Sequence, residues 1–316
     1  MTTIAILGAK GRIGLAAARA FLNNGYTVIA VTRDGTIATD LQSVETRMAD
    51  ATDRQALVRA TEGADIIFNG LNPPYTDWAQ HALPIARNVI AAAKAHGATH
   101  LFPGNVYNYG HAIPPVVRET SPFSPSTRKG AIRIEMEALF AEAAVLDSVQ
   151  TVILRAGDFF GGSRGTWFDL VITAKLAKGV FTWPGPLSLP HAWAYVPDLA
   201  DAFVALADKR ASLNKFDQFL FPGHTMSGDQ MRGHIETSLN RRLKLAGVPW
   251  TMLKMGGLFV PMWREIHEMA YLWSAPHRLD GSGLQAAIGP LPHRPEEDAI
   301  RLALADLGLL NIRNAA

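Results

Sequence analysis

Short apolar runs alternate with longer amphipathic stretches through the first half of the chain. The apolar runs predict strands at 3–7, 27–31, 65–68, 99–102 and 151–154. The stretches between them have helical periodicity and predict helices at 12–24, 54–61, 78–96 and 131–144. Because strands separated by helices are typical of a parallel sheet, the pattern predicts an α/β fold with a doubly wound parallel sheet.

Three glycines, Gly8, Gly11 and Gly14, stand between the first strand and the first helix. Their spacing is G-x-x-G-x-x-G, whereas the usual dinucleotide fingerprint is G-x-G-x-x-G. A turn without side chains lets the backbone approach a pyrophosphate, and the amides of the helix N-terminus, from Ile13 onward, face that anion. The position of the motif therefore predicts a dinucleotide site on a Rossmann-type sheet.

The end of the second strand bears on which dinucleotide binds. Asp34 there would hold the ribose hydroxyls of NAD, whereas Arg33 would hold the 2′-phosphate of NADP. Lys10 and Arg12 add positive charge nearby, so we expect NADP, with NAD as the alternative; simple solvation of Arg33 and Lys10 is the competing interpretation. Asp50, after the expected third strand, either accepts a hydrogen bond from adenine or belongs to the start of the next helix.

The pattern loosens after residue 160, and aromatic residues become frequent. We expect residues 1–160 to form the NAD(P)-binding Rossmann domain, with 196–222 returning to it. Residues 161–316 would form an interleaved, small mixed C-terminal lobe that binds the substrate. Proline and glycine cluster at 103–126 and 184–190, and long loops inside a fold are usually functional.

Composition narrows the class of protein. Hydrophobic residues make up 48% of the 316 residues and charged residues 18%, which is typical of a globular chain. The net charge of +2 without a dense basic block argues against a nucleic-acid partner. No cysteine is present, which excludes disulfides and thiolate metal sites, and no metal-ligand spacing appears. Without a signal peptide or a long apolar run, we expect a cytoplasmic protein with no membrane partner.

Five segments occur in an order that marks a family resemblance: GAKGRIG, ADIIFNGLNPP, LFPGNVYNYG, VILRAGDFFGG and AWAYVPDLADAFVALA. The chain resembles the extended and atypical branches of the short-chain dehydrogenase/reductase superfamily, with NAD-dependent epimerase/dehydratase relatives nearest in layout. The resemblance implies that Asn69, Gly70 and Leu71 line the cofactor and that the backbone at Gly157 orients its carboxamide. It also implies a homodimer formed through the helices at 79–96 and 130–144.

The catalytic positions depart from that family, which uses a Ser or Thr after the fifth strand and a Tyr-x-x-x-Lys pair. Here Pro103, Gly104 and Asn105 occupy the first position, and no tyrosine precedes a lysine by four. In one register Lys129 is the family lysine. In the other, which we favour because Glu137 then matches an acidic position, Lys129 takes the tyrosine place and Arg133 the lysine place.

Two residues compete for the role of proton donor, and a third would bind the substrate oxygen. The segment KGAIR resembles the helix of isoflavone-reductase-like enzymes, which implies proton transfer by Lys129 and an orienting role for Arg133; the alternative is that both are surface charges. Tyr107 would donate its phenol if 107–111 were extended, with Tyr107, Tyr109 and His111 on one side. The alternative for Tyr107 is a packed aromatic wall. Asn105 would serve as a neutral hydrogen-bond donor in the position of the missing serine.

The substrate side is predicted from charge and aromatic content. Asp158 would repel a diphosphate, although Arg164 lies close in sequence. His191 and His277 are expected in pocket loops. We predict an NAD(P)-dependent oxidoreductase that acts on a small, mainly apolar carbonyl or enone substrate. A nucleotide-sugar epimerase/dehydratase and a non-catalytic NADP(H)-sensing regulator are the alternatives.

Overall fold

The alternation of strands and helices builds a central parallel sheet and a smaller lobe. The computed structural model describes residues 1–162 and 164–310, so Ser163 and the last six residues of the predicted lobe lie outside the described residues. The strands are β1 Thr3–Leu7, β2 Thr27–Thr32, β3 Glu45–Met48, β4 Ile66–Asn69, β5 Thr99–Gly104, β6 Val116–Val117, β7 Thr151–Arg155, β8 Asp158–Phe160, β9 Val180–Trp183, β10 His191–Tyr195, β11 Phe216–Leu220, β12 His224–Met226, β13 Lys244–Gly247 and β14 Arg278–Leu279. The helices are α1 Arg12–Asn23, α2 Arg54–Ala60, α3 Trp78–His96, α4 Arg128–Leu146, α5 Val196–Lys209, α6 Gly228–Leu239, α7 Trp250–Gly256, α8 Pro261–Glu268, α9 Ser282–Ile288 and α10 Glu296–Asp306.

Seven strands form the central sheet in the order β11-β7-β5-β4-β1-β2-β3, and every neighbouring pair is parallel. The strand order reverses between β1 and β4, because β2 and β3 lie on one side of β1 and the later strands on the other. Such a reversal opens a crevice at the carboxyl ends of the strands, where ligands of doubly wound sheets bind. The predicted Rossmann-type fold is confirmed.

Residues of each strand alternate between two helical layers, as the pleat of a strand requires. On β1, Ile4 and Ile6 pack against α1 and α5, whereas Ala5 and Leu7 pack on the face that also buries residues of α2, α3 and α4. Both faces of the sheet are thus covered, which explains why apolar residues on its central strands point to both faces rather than to one.

The smaller lobe has its own aromatic core beside the carboxyl edge of the main sheet. Its three-stranded sheet has the order β12-β10-β8, and β9 pairs with β13. The buried aromatic side chains of this core are Phe160, Phe168, Phe181, Trp183, Trp193, Tyr195 and Trp273. Most of the aromatic residues predicted for this region therefore form the core of the lobe, while Phe159 and Trp167 line a cleft.

Several local predictions need correction. Residues 107–112 form a 3₁₀ segment, so Tyr107, Tyr109 and His111 do not project together as they would from an extended strand. The fourth helix begins at Arg128, three residues earlier than predicted, because Thr127 caps it by accepting a bond from the amide of Gly130. His191 lies on strand β10 rather than in a loop.

The sequence pattern does not predict α6, α7 and α8; of these, α7 and α8 are only seven and eight residues long. The division into domains at residue 160 stays a prediction, although β11 does join the central sheet. Among the described residues, no helix combines the length and apolar character that crossing a bilayer requires.

Candidate active site

One deep cleft of about 1510 Å³ opens at the point where the strand order reverses. Its lining includes nearly every residue that the sequence assigns to the cofactor: Gly8, Lys10, Gly11, Arg12, Ile13, Arg33, Asp50, Gly70, Leu71 and Gly157. Gly14 and Asn69 lie behind that lining. Of the predicted catalytic residues, Asn105, Tyr107 and Arg133 line the cleft, and Lys129 does not.

The glycine spacing has a geometric cause. Gly8 has φ +70°, and a Cβ there would lie 3.0 Å from the carbonyl oxygen of Gly70 on the neighbouring β4 loop. A Cβ on Gly14 would lie 2.3 Å from the carbonyl oxygen of Gly8, so α1 meets the turn more closely than any side chain permits. The two outer glycines therefore allow the helix and the turn to pack together.

The amino end of α1 is open toward the cleft. Gly11 is the N-cap residue and offers no side chain to the first amides of the helix, and the first turn holds no acidic side chain. These amides carry the positive end of the helix dipole, which favours a bound anion. The guanidinium of Arg12 bonds to the carbonyl oxygen of Gly165, so it links the glycine turn to the loop of the smaller lobe. These residues fit a dinucleotide diphosphate.

Lys10 is paired at the end of β2 rather than simply solvated. Lys10 Nζ lies 2.6 Å from Asp34 Oδ2 and 2.8 Å from Thr36 Oγ1. The hydrogen bond from Lys10 is the main cause that holds the pKa of Asp34 well below its usual range. Arg33 is exposed and lines the cleft beside them.

Asp50 and Asn69 shape backbone turns. Asp50 Oδ1 accepts bonds from the backbone amide and hydroxyl of Thr52, each 2.8 Å long, and these bonds lower the pKa of Asp50. The N-cap of α2 is Asp53 instead, which leaves Asp50 on the cleft wall. Asn69 is buried, where its Oδ1 accepts the amide of Leu71 at 3.3 Å and its Nδ2 lies 3.3 Å from His100 Nε2.

Two tyrosine hydroxyls meet inside the cleft. Tyr107 Oη lies 2.8 Å from Tyr75 Oη, and both residues line the cleft. Burial, with smaller contributions from Tyr75 and Asp158, raises the pKa of Tyr107 well above its usual value, so its phenol stays protonated. Asn105 Oδ1 accepts the backbone amide of Tyr107 at 3.1 Å, which leaves the amide nitrogen of Asn105 as its free donor group.

The charged face of α4 is buried. Arg133 stacks against the rings of Trp78 and Phe102, with its Cζ 4.9 and 5.0 Å from their centroids. Its Nε is buried and has no hydrogen-bond partner among the described residues. Glu137 forms a paired contact with the guanidinium of Arg155, at 2.8 and 3.1 Å. The alternative that Lys129 and Arg133 are surface charges is therefore wrong.

Lys129 is turned toward α8 rather than toward the cleft. Its side chain is 2% exposed, and Nζ contacts the carboxylates of Glu265 and Glu268. Glu268 Oε1 also accepts the backbone amide of Arg128 at 2.7 Å, at the first turn of α4. Lys129 thus joins two helices, while Arg133, one turn further along, reaches the cleft.

A carboxylate and an imidazole form a pair at the far end of the cleft. Asp158 Oδ2 lies 2.8 Å from His191 Nε2. His277 contacts the His191 ring, with centroids 4.7 Å apart, and burial lowers the pKa of His277 to about 4. His277 is therefore neutral at physiological pH. Arg164 donates to the carbonyl of Leu307 instead of pairing with Asp158.

The remaining wall of the cleft is largely apolar. It includes Phe102, Trp167, Leu170, Val171, Met262, Ile266 and Met269. Within residues 1–162 and 164–310, no group of three His, Cys, Asp or Glu side chains is arranged to hold a metal ion.

Sequence reasoning missed Tyr75, Glu265 and Glu268. Tyr75 follows the fourth strand closely, and that position at the carboxyl edge of the sheet was a usable signal. The two glutamates lie more than 130 residues from Lys129 in sequence, so no local pattern indicated the contact.

Comparison with solved structures finds the same fold in sugar-nucleotide enzymes. UDP-glucose 4-epimerase from Brucella ovis in complex with NAD has a TM-score of 0.79 and 15% identity, with 98% of this chain and 99% of that chain covered. UDP-glucuronic acid 4-epimerase from Bacillus cereus, in complex with UDP-glucuronic acid and NAD, has a TM-score of 0.77 and 17% identity, with 97% and 99% covered. At these identities the likeness concerns the fold alone.

No curated protein matches the sequence. A family model does: the model of the NmrA-like family matches residues 1–281. This match covers most of the chain, including the glycine turn, the tyrosine pair and the charged face of α4. Together with the Rossmann-type sheet, it shows that the chain belongs to the NmrA-like family.

Proposed function

We propose that this protein binds NADP(H) in the cleft and reduces a small, mainly apolar carbonyl or enone compound. The observation that carries the proposal is the continuity of one cleft from the glycine turn to the paired hydroxyls of Tyr75 and Tyr107. The open amino end of α1 and the contacts of Gly8 and Gly14 support a diphosphate at one end of it. Structural neighbours that hold NAD support the same class of cofactor.

The charges at the end of β2 favour NADP over NAD. The Asp34 carboxylate that would bind ribose hydroxyls is already paired with Lys10. Arg33 lines the cleft nearby, and its guanidinium suits the bidentate recognition of a phosphate. A 2′-phosphate would therefore meet the guanidinium of Arg33 beside a carboxylate that Lys10 neutralises, whereas a free ribose would compete with Lys10 for Asp34.

The tyrosine pair supplies the proton that a carbonyl reduction needs. A bound nicotinamide would supply the hydride. The protonated phenol of Tyr107 donates its proton to the substrate oxygen. The hydroxyl of Tyr75 then donates a proton to the phenolate of Tyr107 and is itself reprotonated by solvent. The charge of Arg133 acts to lower the pKa of Tyr107, so it stabilises the phenolate that forms. The apolar wall excludes water from this transfer.

The experiment is a steady-state assay of NADPH consumption with acetophenone and cyclohexenone, using wild type and Tyr107→Phe. We expect turnover by the wild type and a loss of kcat of about 100-fold or more in the variant, with NADPH affinity unchanged. Tyr26→Phe is a matched control, because Tyr26 bonds to Asp208 within the layer of α1 and α5. Turnover that is unaffected by Tyr107→Phe would remove Tyr107 from the mechanism.

One observation favours a second function, that of a non-catalytic NADP(H) sensor. Lys129, in the favoured register, replaces the family tyrosine but is held by Glu265 and Glu268. Tight binding of NADPH, without consumption of NADPH in the presence of any carbonyl compound tested, would support the function of a sensor.

A nucleotide-sugar epimerase/dehydratase is the third candidate, and the named activities of the structural neighbours fit it. Arg155, however, is buried in its pair with Glu137, and Asp158 presents a negative charge in the cleft. Competition of UDP-glucose with acetophenone for binding to the cofactor-loaded protein would support this candidate.

A further inference from the structure

The cleft contains a carboxylate that the proposed proton transfer does not use. Asp158, the first residue of β8, lines the cleft with a side chain that is 17% exposed. Its Oδ2 lies 2.8 Å from Nε2 of His191, whose side chain is only 5% exposed. Burial of a charged group in a largely apolar wall is unfavourable unless the group forms hydrogen bonds. The partners of the second oxygen, Oδ1, therefore matter.

The backbone around Asp158 fixes the direction of this carboxylate. A Cβ on Gly157 would lie 2.1 Å from the carbonyl oxygen of Ala192, so only glycine lets the chain approach β10 so closely. Asp158 then enters β8 directly opposite Trp193 of β10.

His191 is itself immobilised. Its ring stacks on Trp273 with centroids 4.5 Å apart and planes 1° from parallel. The edge of His277 packs against it, and Nδ1 of His277 donates to the carbonyl of Ala275 at 2.8 Å. Because the imidazole cannot rotate away, it holds Asp158 in one orientation, as a group built for recognition requires.

Asp158 has acceptor capacity left for a ligand. His191 occupies Oδ2, and across the described part of the chain Oδ1 has no hydrogen-bond partner. An ionised carboxylate only accepts hydrogen bonds, so its complement is an O–H or N–H donor. Asp158 also acts to raise the pKa of Tyr107, which indicates that its field reaches the proposed proton donor.

We propose that Asp158 is a specificity-determining residue that binds a hydroxyl or amino donor of the substrate, next to the carbonyl group that Tyr107 protonates. This inference rests on the proposed function and narrows its substrate class to hydroxy- or amino-carbonyl compounds with an apolar remainder. Compounds whose second polar group is a carboxylate or phosphate are excluded, because they would meet the charge of Asp158.

The experiment compares ligand binding with turnover. Titration of the NADP⁺-loaded protein with acetophenone, α-hydroxyacetophenone and α-aminoacetophenone gives the Kd of each ligand. We expect wild type to bind at least one of the two donor-bearing ketones about tenfold or more tightly than acetophenone, as a hydrogen bond to a charged group allows. The hydroxy and amino compounds distinguish the two kinds of donor.

Variants separate recognition from a merely structural role. Here the Kd ratio is the Kd of acetophenone divided by that of the donor-bearing ketone. Asp158→Asn removes the charge of the acceptor, so it should lower this ratio about fivefold or more and leave the Kd of acetophenone unchanged. His191→Phe keeps the stacking on Trp273 but removes the bond to Asp158. We therefore expect a smaller decrease of the Kd ratio than in Asp158→Asn. Asp229→Asn, at an exposed position in the first turn of α6, is the matched control.

The outcomes are distinguishable. If both ketone types bind as expected but no NADPH is consumed, the reductase proposal fails, and what stands of the inference is that Asp158 binds a hydroxyl or amino donor of the ligand. If carbonyl compounds are reduced but the Kd ratio is near one in wild type or unaltered by Asp158→Asn, the inference is wrong and the reductase proposal stands. If Asp158→Asn weakened the binding of NADP⁺ and left the Kd ratio unaltered, Asp158 would belong to the cofactor site and the inference would be overturned.

Discussion

Gly14 illustrates how one missing side chain sets the geometry of the whole site. It lies within α1, where glycine normally costs stability relative to alanine. The structure explains its presence, since a Cβ would lie 2.3 Å from the carbonyl oxygen of Gly8 and 3.2 Å from Cα of Ala9. Both neighbours are backbone atoms, so neither can yield without moving the turn.

Gly14→Ala should therefore lower the free energy of unfolding by about 1–3 kcal/mol, the usual cost of overpacking, and weaken NADPH binding. The matched control is Gly233→Ala, in the exposed middle of α6, where a Cβ meets nothing within 4 Å. That control should gain up to about 1 kcal/mol from helix propensity. Chemical denaturation measures the free energy of unfolding, and titration measures the Kd of NADPH. Equal changes of these two quantities in Gly14→Ala and Gly233→Ala would contradict the packing argument.

Arg33 tests the choice of cofactor at the same scale. Arg33→Ala should raise the Kd of NADPH by about tenfold or more, since it removes a charged partner of the 2′-phosphate, and leave that of NADH nearly unchanged. Arg54→Ala supplies a control at the first residue of α2, which does not line the cleft. A parallel loss for both nucleotides would mean that Arg33 does not recognise the 2′-phosphate.

At the scale of elements, α8 contributes to the wall of the cleft and is joined to α4 through the side chain of Lys129. Met262 and Ile266 line the cleft from this helix, and Glu265 and Glu268 contact Lys129 on α4. Removing the lysine would leave two carboxylates facing each other in a poorly hydrated site, which is unfavourable.

Lys129→Met should consequently increase hydrogen exchange in 261–268 by about tenfold or more and leave NADPH affinity unchanged. Arg128→Met, at the exposed neighbouring position, is the control. The double variant Glu265→Gln/Glu268→Gln should loosen the same helix. If Lys129→Met abolished turnover while the double variant retained it, Lys129 would instead be the proton donor.

The elements of the sheet could be predicted from sequence far better than the catalytic end of the cleft. The glycine turn and strands β1 and β2 follow local rules of period and spacing, and they lie where the pattern puts them. The contacts of Lys129 could not be predicted, because they depend on how α8 folds back over α4. The 3₁₀ segment at 107–112 differs from the predicted extended segment because period-two spacing of aromatic residues also arises outside strands.

At the scale of the whole molecule, buried histidines link stability to pH. Burial lowers the pKa of His100 to about 3 and those of His224 and His277 to about 4. The unfolded chain takes up protons at these sites below about pH 6.5, whereas the folded chain does not until its lower pKa is reached. Stability is therefore lost as the pH falls from about 6.5 toward 4.

We expect the free energy of unfolding to be nearly constant between pH 8 and 7 and to fall below about pH 6.5, by about 2 kcal/mol for each of these histidines at pH 5. His224→Phe should reduce that loss, and it should not destabilise at pH 7, because both ring nitrogens of His224 are buried without a hydrogen-bond partner in the described chain. Urea denaturation across this range measures the slope; identical slopes for wild type and variant would refute the assignment.

The binding of NADPH to the cleft is the claim on which the functional account depends. Isothermal titration of the purified wild-type chain with NADPH tests it most directly, with Gly14→Ala titrated in parallel. The account predicts saturable binding with one nucleotide per chain and a marked loss of affinity in the variant. No binding to the wild type, or equal binding to both proteins, would contradict it.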